Sequence, residues 1–169
     1  MAASLHAFCQ WLGETPLSLT IQNVSWIIPT VQSIHIICVS ILFSSALMID
    51  LRMLNVIGRS QPVAAYAARF MPWIWYTLIV LLLSGSTLII GEPTRSLENP
   101  SFQLKMVLLV LAMLTTLGIQ RPLAGAGNYW DEISRRKALA KLVAVVSLCL
   151  WVGIIFAGRW IAYTNTAGD

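Results

Sequence analysis

The chain has 169 residues, 57% hydrophobic and only 11% charged, with a mean hydropathy of +0.76. That composition excludes an ordinary water-soluble domain, which needs far more polar surface, and implies a bilayer as solvent. The net charge of +4 does not point to nucleic acid, because the basic residues stand at loop ends without interleaved aromatics.

In chain order, residues 4–13 read as a short helix. Ser4 is a capping residue, Leu5, Phe8, Cys9 and Leu12 recur on one face, and Gly13 followed by Pro16 ends it. The opening MAASLHAFCQWLGE has no basic residue ahead of its apolar part and so does not read as a signal peptide. Its stripe suits an interfacial helix held by Trp11 and the apolar face.

A helix needs roughly 20 apolar residues to cross the ~30 Å hydrocarbon layer. Four windows meet that requirement, at about 26–49, 72–90, 101–119 and 142–161. The first passes Pro29 in its opening turns and leaves at the corner Asp50-Leu51-Arg52. Ser60 and Pro62 open a surface helix through Val63, Tyr66, Ala67 and Phe70 that bends into the membrane at Pro72, beside Trp73 and Trp75. GEPTRSLENP is a breaker cluster in which Asn99 before Pro100 reads as an N-cap. PLAGAGN is an elbow, after which Asp131 and Glu132 stand at the start of a helix and bases further on. The expectation is an all-α integral membrane protein, one membrane domain over 1–169, folded as an antiparallel four-helix bundle in which chain neighbours pack together.

Eight of the basic residues fall between the first and second or the third and fourth windows: Arg52, Arg59, Arg69, Arg121, Arg135, Arg136, Lys137 and Lys141. The other side holds Arg95, Lys105 and Arg159. The positive-inside bias therefore predicts a multi-pass protein of the bacterial inner membrane with both termini periplasmic. The lipid bilayer is the expected partner, with a membrane protein partner or a second copy left open.

Ionisable residues at depth in hydrocarbon are the natural site candidates. His35 lies about nine residues into its window, ~13 Å deep at 1.5 Å per residue. Lys105 begins the third window and Arg159 ends the fourth, both in the outer half. A midplane imidazole with two outer cations suits a ligand that is flat and apolar with an anionic edge. Haem b has that form: His35 would be the axial metal ligand, Lys105 would stand near the second face or a propionate, and Arg159 would be an outer-leaflet anion partner, while a quinone or a phospholipid headgroup fits part of the same description. The rival reading has His35 hydrogen-bonded to a neighbouring span and Lys105 and Arg159 snorkelling to the headgroups, in a cofactor-free subunit or scaffold of a larger complex. The two histidines, His6 and His35, do not supply a bis-His site from facing spans. Asp50 and Arg52 read as a pair on the rim that anchors topology. Ser84, Gly85 and Ser86, and separately Gly153 and Ala157, are small-residue patches for close helix approach. Cys9, Cys38 and Cys149 make no disulfide or zinc spacing.

Through SIHIICVSILFSSALMIDLRML, RFMPW, NPSFQLK and SLCLWVGIIFAGRWIAY the chain resembles an uncharacterised family of small bacterial four-span membrane proteins. More remotely it is similar to the copper-resistance D proteins and the membrane haem-type protoporphyrinogen oxidases. In those, a His in the first span and a Lys opening the third belong to a haem site, and His35 and Lys105 are the matching positions. The GRWIAY ending, and the lack of the aromatic and arginine motif after the first span, depart from the oxidases, so the resemblance implies the cofactor rather than that activity.

Overall fold

The computed structural model of the chain describes residues 2–125, 129, 130, 134–161 and 163. Among these the elements are helices throughout: α1 (Ala2–Gly13), α2 (Pro16–Asn23), α3 (Ile27–Met53), α4 (Val63–Gly91), α5 (Pro93–Leu97), α6 (Pro100–Gly125) and α7 (Ser134–Trp160). The long helices α3, α4, α6 and α7 are each long and apolar enough to cross a membrane, and they form the expected four-helix bundle. Asp131 and Glu132, and the end of the PLAGAGN elbow, lie outside the described residues.

Helix ends follow from local chemistry. Ser101 N donates to Asn99 Oδ1 at 2.8 Å, which fixes the start of α6 with Pro100 in its first turn, where no amide is needed. α3 stops in a Schellman turn: Val56 N donates to Leu51 O and Asn55 N to Arg52 O, each at 3.0 Å. Asn55, at φ 59°, takes the left-handed conformation that the turn requires. α4 is a single helix from Val63 to Gly91 that carries Pro72 within it, so the surface segment and the span are one rod.

Each long helix turns one stripe inward at helical spacing. On α3 it runs His35, Cys38, Leu42, Ala46, Ile49, Met53. On α6 it runs Lys105, Leu108, Ala112, Thr116, Ile119. The stripes of α4 and α7 hold Val63, Ala67, Met71, Ile74, Ser84 and Ala140, Ala144, Ser147, Trp151, Ile154, Ala157. The fully packed core lies toward the end of the bundle that carries the basic loops. At the other end, no residue of α3 before Cys38 and none of α6 before Ala112 is buried.

α3 packs along α4 and α7, and α7 packs along α6. The chain neighbours α4 and α6 share no extended seam among the described residues, unlike the expected arrangement of neighbours. Trp75 Nε1 donating to Gln120 Oε1 at 3.1 Å links them near the basic-loop end. The other end of the bundle is the one that carries His35 and Lys105.

Over that end sits a cap of α1, α2 and α5. Two of its helices, α2 and α5, are additions to the one helix expected from sequence. His6 Nδ1 and Glu98 Oε1 lie 2.8 Å apart, and Cys9 beneath them is fully buried, so α1 is held by α5 as well as by its exposed Phe8 and Trp11. Burial pushes the Cys9 thiol up from its ordinary value, and the Glu98 carboxylate adds to the shift. Ser18 Oγ donates to Ile90 O at 2.6 Å and fastens α2 to the end of α4.

Candidate functional site

His35 continues the inward stripe of α3 one turn beyond the packed core and is half-buried. Its Nδ1 lies 2.8 Å from Ser84 Oγ on α4. Ser84 donates its own hydroxyl proton to Val80 O at 2.7 Å, so its oxygen accepts from the ring. With that proton on Val80 O, a ring protonated at Nδ1 would donate to Ser84 and leave Nε2 as an acceptor, which no bond within the described residues uses. Gly85 lies beside the ring, where a methyl would stand 3.5 Å from His35 Cε1, an ordinary contact.

Lys105 heads the stripe of α6 and is half-buried. Its stem runs along Gly158 of α7, where a methyl would stand 3.7 Å from Nζ. Among the described residues it makes no hydrogen bond or ion pair. His35 of α3 and Lys105 of α6 thus both stand toward the end of the bundle under the cap. The small-residue patches serve this arrangement. Ser84 and Gly85 receive His35, Gly158 receives Lys105, and Gly153 receives Leu108 of α6, so their contacts lie inside the bundle.

Arg159 is not brought to this pair. It is exposed, donates to Tyr163 Oη at 3.2 Å and lies 5.4 Å from the centre of that ring. His6 belongs to the cap, bonded to Glu98 and Gln10. A shallow cleft of ≈ 560 Å³ beside Cys9, Gln10, Gln22, Glu92 and Arg95 also belongs to the cap, away from His35.

Asp50 and Arg52 differ from the exposed rim pair suggested by sequence: they are 1% and 4% exposed. Asp50 is buried near the end of α3, on the side where Ser147 of α7 approaches it. Arg52 bonds Gln61 O and Asn55 Oδ1 in the turn after α3. Two residues apart on a helix they point to different sides, so a shared place in the sequence does not make a shared surface.

The comparisons with known proteins can be set against this geometry. Residues 8–164 match the model of DUF6644, a family of unknown function. The chain belongs to the DUF6644 family. No curated protein and no solved structure matches it. The DUF6644 match spans α3, α4, α6 and α7, and so takes in both His35 and Lys105. Among the described residues of this DUF6644 chain no three His, Cys, Asp or Glu side chains gather to hold a bare metal ion.

Proposed function

We propose that this DUF6644 protein is a haem b-binding redox or electron-transfer component of the bacterial inner membrane, spanning it four times with both termini and the cap on the periplasmic side. The observation that carries the reading is the 2.8 Å hydrogen bond between His35 Nδ1 and Ser84 Oγ. With Ser84 as the acceptor, Nε2 would be left as an acceptor, the arrangement in which histidines commonly ligate a metal while their other nitrogen is oriented by a hydrogen bond. Lys105 is suited to the anionic edge of the ligand, since an ammonium in a span is stabilised by a counter-charge. Haem bound here would supply one-electron chemistry, with His35 and Lys105 the residues that would tune its potential.

Residue roles follow. His35 Nε2 ligates, Ser84 orients His35, and Lys105 pairs with a propionate. Arg159 requires a swing away from Tyr163 to join them and is the least supported of the set. The remote likeness to copper-resistance D proteins and haem-type oxidases supports the same pair, His35 and Lys105.

A second reading rests on the same hydrogen bond: His35 tied to Ser84 across α3 and α4 serves as an interhelical strut in a cofactor-free subunit of a larger membrane complex. Titration of the purified protein in nanodiscs with haemin separates the two. The haem reading expects saturable binding with a Soret shift that is lost in His35→Ala and altered in Lys105→Met. Binding unaffected by His35→Ala would leave the strut.

A further inference from the structure

The cleft of ≈ 560 Å³ in the cap falls within the size of small-molecule sites, about 300–1,000 Å³. Its wall includes Ile28, in the first turn of α3, and Gly91, the last residue of α4. One long apolar helix begins and another ends there, which sets the cleft at the boundary between hydrocarbon and headgroups on the cap side. Trp26, at the head of α3, and Trp11 of α1 are 66% and 63% exposed at the same end of the bundle, as indoles that settle in the interface are.

Glu92 and Arg95 line the cleft and pair with each other, Arg95 Nη1 donating to Glu92 Oε2 at 2.7 Å. Among the described residues Glu92 Oε1 and the remaining guanidinium N–H groups have no bond. Two more lining residues commit their amide nitrogens elsewhere: Gln10 Nε2 lies 3.1 Å from His6 Nε2, and Gln22 Nε2 donates to Ser18 Oγ at 2.9 Å. Their amide oxygens remain as acceptors. The lining therefore offers an anion with neutral acceptors and, beside it, a cation with spare donors. That set complements a ligand in which an ammonium that donates stands next to an anion. A simple anion would meet the Glu92 carboxylate. A quaternary ammonium has no proton to give these acceptors and finds no aromatic ring in the lining.

We propose that the cap cleft binds phosphoethanolamine, carried as the headgroup of an ethanolamine phospholipid. Its ammonium donates to Glu92 Oε1 and to the amide oxygens of Gln10 and Gln22, and its phosphate accepts from Arg95. The Glu92–Arg95 pair stays closed, because the headgroup adds its own two charges beside it in alternation. This site rests on the four-span reading of the chain and is independent of haem.

The test is native mass spectrometry of the full-length protein released from nanodiscs of phosphatidylethanolamine, phosphatidylcholine and phosphatidylglycerol in equal parts with matched acyl chains. The phosphatidylethanolamine adduct should predominate. In Glu92→Gln and in Arg95→Gln its ratio to the phosphatidylcholine adduct should fall about ten-fold, the effect of losing one hydrogen bond to a charged group. Arg59→Gln, an exposed change at the basic-loop end, should leave the ratio as it was. Free phosphoethanolamine distinguishes the sources of the group: displacement of the lipid shows that the headgroup chemistry suffices, and a persistent adduct shows that the acyl chains help to hold it. Equal retention of phosphatidylethanolamine and phosphatidylcholine overturns the proposal, and so does a preference that survives both cleft variants. If those variants do not fold, the comparison of the two lipids in the unaltered protein decides alone, since they differ only in methylation of the nitrogen.

Discussion

His35 on α3 and Ser84 on α4 are joined by a 2.8 Å hydrogen bond between Nδ1 and Oγ, and Ser84 also donates to Val80 O at 2.7 Å. Ser84→Ala removes the acceptor and leaves the helix otherwise intact. Interhelical hydrogen bonds in membranes average ~0.6 kcal/mol, so we expect a small loss of stability, about 0.5–1 kcal/mol in reversible unfolding. The larger effect is on the ring: ¹⁵N chemical shifts of His35 should report a single tautomer protonated at Nδ1 in the parent and a mixture in the variant. A mixture already present in the parent would contradict the bonding pattern.

Asn99 ties two span ends together. It is 1% exposed, accepts from Ser101 N at 2.8 Å and donates to Ile161 O at 3.5 Å. Asn99→Ala removes the cap of α6 and should cost about 1–2 kcal/mol. Asn99→Asp keeps the acceptor and should recover part of that cost, which thermal denaturation in detergent can measure.

Two glycines should respond in opposite directions. A methyl at Gly91 would stand 2.9 Å from Ile21 Cγ2, a branch close to its own backbone that cannot swing aside, whereas at Gly118 nothing lies within 4 Å. Gly91→Ala is expected to push α2 off α4 at a cost of about 1–3 kcal/mol. Gly118→Ala should be neutral or stabilising by up to about 1 kcal/mol, the helix preference for alanine. Paired melting curves check the sign of each.

Cys9 reports on cap docking. Its thiol is buried and raised in pKa by burial and by Glu98, so the docked cap holds the thiol proton more tightly than the undocked chain. The stability this contributes is complete below the ordinary thiol pKa and is lost as pH rises through the raised one. Maleimide should label Cys9 slowly at neutral pH. Labelling should quicken, beyond the intrinsic rise in thiolate, as alkaline pH loosens the cap, and quicken at neutral pH in Glu98→Gln, which weakens the link to His6. Rapid labelling of the parent at neutral pH would mean that α1 is not docked on α5.

Much of this architecture is legible in the sequence, for identifiable reasons. The inward stripes recur at helical spacing, so the four long helices and the polar heads of two stripes, His35 and Lys105, can be found without coordinates. Asn99-Pro100 announces the start of α6 by its own chemistry. α2 and α5 escape notice because they are short and owe their existence to tertiary bonds such as Ser18 to Ile90 O. The burial of Asp50 and Arg52 is hidden because charges at the end of an apolar run ordinarily face water; only the turn at Asn55 and the approach of Ser147 from a helix nearly a hundred residues away take them inside. The departure of Arg159 is decided by Tyr163, one turn later, which offers both a hydroxyl and a ring face. The lack of an α4–α6 seam leaves no periodic trace, since apolar surfaces that face lipid and those that face a helix look alike in sequence.

The account turns on a ligand-ready Nε2 at His35. The most direct measurement is the absorbance spectrum of the protein purified from haem-replete cells, before and after dithionite, alongside His35→Ala purified in the same way. The account predicts a Soret band that moves on reduction, with the high-spin character of iron held by a single imidazole, and its disappearance in the variant. A parent protein without a Soret band, or a band that persists in His35→Ala, would contradict it.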